Sequence, residues 1–284
     1  MDPIAAAAGS TDTDCEQPSP LLPAARRVLL RVRAARSGSN PGVNASTISI
    51  VDADPDLAEQ LDDEALERAR HQALTRVQRL SAGEWNVADA LEPDVHHRGF
   101  LVVSGLLSRE VDVLGRHCIE LIGPGDVMRP WSWDDAGSHV RAEVGWEVLE
   151  PTRLAVLDHA LVTRINPWPQ LGVELFNRGT RRAHHLAVAL AIAHHNRVED
   201  RLLLTLWHLA ERWGKVTPDG ILVPLPLSHE RLASIVGAHR PSVTTALGAL
   251  NKAGKLSRRE DGDWLLHGEP PEKLRHHKLA AALS

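Results

Sequence analysis

The chain has 284 residues, 43% hydrophobic and 24% charged, with a net charge of −5, which leaves room for about two domains of ordinary globular composition. Its longest unbroken apolar run, 186–193, falls far short of the ~18 residues of a membrane span, and no signal-peptide pattern opens the chain, so a cytoplasmic protein with no membrane partner is expected. Cys15 and Cys118 are the only cysteines, too few for a disulfide framework, a C-x-x-C metal knuckle or an iron–sulfur cluster held by the chain alone.

Charge is unevenly placed. Residues 1–197 hold 20 Lys+Arg against 27 Asp+Glu, whereas residues 198–284 hold 12 against 10. A basic C-terminal third points toward nucleic acid only where its cations share a face.

Residues 1–45 are rich in Ala, Ser, Pro, Gly and Asp and carry a basic run from Arg26 to Arg36. They are expected to form a disordered extension. Apolar positions Leu57, Leu61, Ala65 and Leu66 after Pro55 then predict a helix over 56–72. Between 77 and 157, short β-type runs at 100–103, 111–114 and 119–122 are separated by Gly99, Gly105, Gly115, Gly123 and the Pro124-Gly125-Asp126 turn. That spacing predicts a sandwich or roll.

After Pro167 and Pro169 the pattern becomes a long helix over about 170–196, roughly 40 Å at 1.5 Å per residue. Leu171, Leu175, Arg178, Arg182, Leu186, Ala189 and Ala193 recur in steps of three and four, and are read as the face that meets an identical helix across a two-fold axis. The helix also carries His184, His185, His194 and His195. His184 and His195 share a face but lie about 16 Å apart along the axis, too far to hold one ion, so no metal is expected.

Residues 201–213 predict a further helix, followed by an extended run over 221–227 that Pro224 and Pro226 confine to a sheet edge. Ser228 is a good N-cap for a helix ending at Gly237, and a second helix, about 240–253, begins at Arg240-Pro241 and buries Val243, Leu247 and Leu250. Ala233, Gly237 and Val243 thus occupy the small, turn and apolar positions of a helix-turn-helix. Runs at 256–259 and 264–267 around Asp261-Gly262 add a hairpin that completes a winged helix.

In such a motif the start of the second helix enters the major groove, so Arg240 is the candidate for bidentate contact with guanine, with Thr244 and Thr245 as shorter-reach candidates. Ser228, His229, His239 and Ser242 are candidate phosphate contacts, as are Lys255, Arg258 and Arg259 of the wing.

The segments NRVEDRLLLTLWHLA (196–210) and LSHERLASIVGAHRPSVTTALGAL (227–250) resemble the hinge, first helix and helix-turn-helix of the Crp/Fnr family of bacterial transcription regulators. The resemblance extends more loosely over 48–267, through the glycine-punctuated strands to GPGD (123–126) and the long helix. It implies an α+β architecture: a cyclic-nucleotide-binding-like β-roll sensor over 46–166, a dimerisation helix over 167–197 and a winged helix-turn-helix over 198–284. It also implies a homodimer on double-stranded DNA, with RNA polymerase as a further partner and no catalytic residues.

Arg240 matches the family's guanine-reading arginine. The glutamate frequent beside it is Pro241 here, and a second arginine four residues on is Thr245, so the family's usual operator is not implied. Where cyclic-nucleotide binders place Gly-Glu this chain has Arg129-Pro130, their Arg-Ser/Thr-Ala is Arg141-Ala142-Glu143, and hydroxyls on the long helix are replaced by Leu186-Ala187. A buried cyclic phosphate needs its charge and oxygens met, so cyclic AMP is not expected. Arg129, Trp131, Trp133 and Arg141 either line a pocket for another anionic or aromatic effector or serve packing and surface pairing. No cofactor is expected beyond such an effector. Two other function classes stay open: a cupin-like metal enzyme, against which the adjacent His96 and His97 point to opposite faces of a strand, and a regulator acting by protein contact without DNA.

Overall fold

The computed structural model describes residues 46–87, 97–130, 140, 142–225 and 227–270.

The N-terminal half opens with β1 (Ser46–Ser49), a short helix α1 (Ile50–Ala53), a 3-10 turn at Pro55–Ala58 and α2 (Asp63–Gln72). The single helix expected over 56–72 is therefore broken. Asp62 caps α2, its carboxylate accepting from the Ala65 N–H at 2.7 Å, and a capping aspartate favours the non-helical backbone of an N-cap over a helix interior.

The roll follows: β2 (Leu74–Leu80), β3 (Gly83–Glu84), β4 (His97–Val113), β5 (Arg116–Ile122), β6 (Val127–Met128) and β7 (Glu143–Asp158). All strands of the seven-stranded sheet are antiparallel, ordered β1-β2-β7-β4-β5, with β3 on β7 and β6 on β4. β4 runs through both of the short strands expected at 100–103 and 111–114. At Gly105 the register with β7 shifts, φ is +91°, and a Cβ would lie 2.5 Å from the Pro151 carbonyl oxygen. Glycine here bends one long strand at a bulge rather than ending it. Trp85, Phe100 and Trp146 pack edge-on inside the sheet, with centroids 5.6 Å apart for the two indoles and 6.4 Å for Trp85 and Phe100.

Helices α3 (His159–Ile165) and α4 (Pro169–Ala193) leave the roll. The face of α4 expected to meet a second chain is largely occupied by the chain itself. Leu171 is fully buried with Ile50, Leu57 and Leu161, and Leu175 packs against the same cluster. Arg178 donates to Asp54 at 2.8 Å, and Arg182 makes a two-pronged contact with Glu120, both at 2.7 Å. Glu120 also pairs with the buried Arg109 at 2.7 Å, so one carboxylate joins two guanidinium groups; removing it from a site this buried costs on the order of 3–5 kcal/mol. Only Leu186 and Ala189 of the expected face are exposed, with Ala193 partly covered.

The most exposed large apolar side chains of α4 lie elsewhere: Val173, Phe176 and Leu190 are 56%, 74% and 62% exposed, against 37% for Leu186. With Thr180, Ala183 and Ala187, all exposed, they repeat in steps of three and four residues along a second face of the helix.

The C-terminal part contains α5 (Val198–Trp213), β8 (Lys215–Thr217), β9 (Gly220–Val223), α6 (His229–Val236), α7 (Arg240–Lys252), β10 (Leu256–Arg258) and β11 (Trp264–Leu266). Its sheet runs β10-β11-β9-β8. β9 is therefore an inner strand, not the edge expected from its prolines, because it ends at Val223, before Pro224. The core of this part includes Leu202, Leu206, Val223, Leu232, Val243, Leu247 and Trp264, and Leu106 and Leu121 of the roll belong to the same cluster.

Among the described residues no helix is long and apolar enough to cross a membrane.

Candidate nucleic-acid interface

The two helices are set by their ends. Ser228 caps α6, its hydroxyl accepting from the Arg231 N–H at 3.1 Å. Gly237 ends α6 in the left-handed conformation, φ +60°, which glycine adopts without penalty. The turn is pinned by the Ala238 N–H to the Ala233 carbonyl at 2.9 Å, and by Arg201 of α5, whose Nη1 donates to the Val236 and Gly237 carbonyls at 2.9 and 3.0 Å. Arg201 is a positioning residue that sequence reading missed, since its partners lie more than thirty positions away.

On α7, Val243, Ala246, Leu247 and Leu250 face the core. Arg240, Pro241, Thr244, Thr245, Gly248 and Asn251 are exposed on the other side. Arg240 is the first residue of the helix, and Thr244 follows it on the same face one turn later. Ser242 lies roughly 200° around the helix from Arg240 at 100° per residue, and lines a cleft with Val198, Glu199 and Thr245. This flank suits a backbone contact better than a base contact.

His229, at the start of α6, ties the helices together: its Nδ1 is 3.0 Å from the Thr244 hydroxyl, which in turn lies 3.1 Å from the Arg240 carbonyl. Burial, with Arg258 and Arg240 nearby, holds the His229 imidazole below its usual range. The guanidinium groups of Arg240 and Arg258, from α7 and the wing, thus lie near the start of α6, where an anion would be favoured.

In the wing, Arg258 lies over the Trp264 ring, 5.4 Å from its centroid, and its Nε donates to the Gly262 carbonyl at 3.4 Å. Arg259 approaches Asp261 at 3.8 Å. Lys255 is exposed, as is His239, the N-cap of α7. The residues read as DNA-facing thus lie on α6, on α7, at their N-caps or in the wing segment, although the wing tip also carries the acidic Glu260 and Asp261.

Of the effector candidates, Arg129 is exposed at the end of β6. Trp131, Trp133 and Arg141 lie outside the described residues, as do His96 and the extension at 1–45. Among the described residues no group of three or more His, Cys, Asp or Glu side chains is arranged to hold a metal ion.

Residues 200–276 match the model of the Crp-like helix-turn-helix domain. The chain is 39% identical over 66 residues to the anaerobic regulatory protein of Bacillus subtilis, covering 23% of this chain and 28% of that one. It is 36% identical over 63 residues to the global nitrogen regulator of Synechocystis, covering 22% and 28%. The chain spans less than half the length of the curated relatives it matches. Its fold resembles a CooA mutant from Carboxydothermus hydrogenoformans, with TM-score 0.51 and 20% identity over 74% of this chain and 88% of that one. It also resembles the c-di-GMP responsive regulator CLP of Xanthomonas campestris, with TM-score 0.50 and 20% identity over 73% of this chain and all of that one. Residues 200–276 thus form a Crp-like helix-turn-helix domain of a DNA-binding transcriptional regulator, and the roll and long helix ahead of it give the chain a fold similar to these solved structures.

Proposed function

We propose that the protein is a cytoplasmic transcription regulator that binds double-stranded DNA as a homodimer, with α7 in the major groove. The observation that carries this reading is Arg240, exposed on the first turn of α7 beside His229 and Arg258. On this reading its guanidinium contacts guanine O6 and N7, and Ser228, His239, Ser242, Lys255 and Arg259 are the contacts to phosphates.

The same reading assigns the second copy to the exposed face of α4. Val173, Phe176, Thr180, Ala183, Ala187 and Leu190 make a seam that a two-fold partner would bury helix against helix. Dimers of this kind present two recognition helices, so the operator should contain two half-sites separated by about one helical turn of DNA. An effector of the roll would act through the contacts that join it to α5 and α6, and RNA polymerase is the expected downstream partner.

Selection of bound sites from random duplex DNA by the full-length protein, with sedimentation of the free protein, tests this. Enriched sites with two related half-sites and a dimer in solution support it. A monomer that enriches no sequence at any salt concentration overturns it and favours action by protein contact.

A further inference from the structure

On the outward face of α7, the side chains placed after Arg240 have their hydroxyl hydrogens already committed. Thr244 Oγ1 lies 3.1 Å from the Arg240 carbonyl and 3.0 Å from His229 Nδ1. A threonine hydroxyl has one hydrogen and two lone pairs. Whichever of the two partners takes that hydrogen, it points into the protein. Thr245 Oγ1 likewise lies 3.1 Å from the Pro241 carbonyl. Both residues are exposed, so what they offer a partner in the groove is the Cγ2 methyl and a hydroxyl lone pair, with no hydrogen to donate to thymine O4 or to guanine. Pro241 and Gly248, on the same side of the helix, bring no side-chain donor either.

We propose that Thr244 reads the C5-methyl group of a thymine in the operator through its own methyl group, leaving Arg240 as the hydrogen-bond donor to bases in the first turns of this helix. The inference rests on the DNA-binding reading above and assigns that site a base class. Methyl-to-methyl contact is an established way for a short side chain to distinguish thymine in the major groove. Its position is constrained as well. Thr244 lies four residues, about 6 Å, along the helix from Arg240, which corresponds to about two base-pair steps of 3.4 Å. The thymines should therefore lie within about two base pairs of the guanine that Arg240 contacts.

The test uses the full-length protein and an operator obtained by selection, in which thymines are replaced one at a time by uracil, which lacks only the methyl group. Wild-type protein should lose roughly fourfold in affinity at one or two positions near the guanine of each half-site, the factor for one buried methyl-sized group. Thr244→Val keeps the methyl and removes the hydroxyl; whatever its affinity for the thymine operator, it should keep the wild-type fold-loss on uracil at the same positions. Thr244→Ser keeps the hydroxyl and removes the methyl; it should lose the same factor on the thymine operator and become indifferent to uracil there. The substitutions are exposed and nearly isosteric, and matched melting temperatures would confirm the fold. The inference is overturned if uracil is tolerated at every position near the guanine, or if Thr244→Ser keeps the uracil sensitivity that Thr244→Val loses. Enrichment of no sequence at all would instead overturn the DNA-binding reading itself.

Discussion

Arg231 of α6 reaches across to Glu147 of β7, its Nη2 2.6 Å from Oε2, and so links the first helix of the helix-turn-helix to a strand of the roll. Beneath this pair, Leu106 and Leu121 of the roll share a core with Leu232, Val243 and Trp264. At the other end of the same contact, Arg212 of α5 pairs with Asp126 of the 123–126 turn, and Trp213 lies against Gly123 so closely that a Cβ there would be 2.8 Å from its ring.

A shared core should make the roll and the helix-turn-helix unfold together. We expect one calorimetric transition for both, lowered by about 2–5 kcal/mol in Leu121→Ala, which empties a site only 5% exposed. Arg231→Gln should change stability by no more than about 1 kcal/mol, because both partners are partly exposed. Two well-separated transitions would contradict the shared core.

The two faces of α4 should respond differently to substitution. Phe176→Asp, on the exposed face, should convert a dimer to a monomer in sedimentation while leaving the melting of the protomer within about 1 kcal/mol of wild type. Leu171→Ala, on the buried face, should cost about 2–5 kcal/mol of protomer stability. A dimer that survives Phe176→Asp but dissociates with a Leu186→Asp or Ala189→Asp change would restore the face expected from sequence.

Acid should weaken the junction of α4 and α5. The rings of His185 and His208 lie 5.1 Å apart. Burial, with Arg212, His208, His184 and Arg181 nearby, lowers His185 from 6.5 to about 4. His208 is lowered as well, burial prevailing over the opposing charge of Glu211. Both side chains fold neutral, so the unfolded chain takes up protons first, and stability present above pH 6.5 is lost as the pH falls toward about 4. Asp54 and Asp126, raised by burial, act in the opposite sense. The melting temperature should therefore fall between pH 7 and about 5, and His185→Gln should flatten the decline. A melting temperature that stays level or rises over that interval in the wild type would refute this.

Much of the fold, including the helices and hairpin that carry the candidate site, is legible in the sequence. Cap residues, turn glycines and apolar spacing act within a few positions of one another. Hence the helices now seen at His229–Val236 and Arg240–Lys252 and the hairpin of Leu256–Arg258 with Trp264–Leu266 were located almost to the residue. The failures involve partners distant in sequence. Arg178 and Arg182 fitted the spacing of a dimer face because their carboxylates, Asp54 and Glu120, lie 124 and 62 positions away. α4 carries two apolar faces, and periodicity cannot say which one the chain's own roll covers. Nor could spacing show that Thr244 is tied to His229, which requires the packing of one helix on another.

Measuring the DNA affinity of wild type and Arg240→Ala across a salt series tests the central claim most directly. A phosphate-dominated interface should weaken steeply as salt rises for both proteins, with Arg240→Ala weaker on the selected operator by ~1–3 kcal/mol and less selective at the guanine position. Equal affinity and selectivity of the two proteins at every salt concentration would contradict the assignment of α7 as the recognition helix.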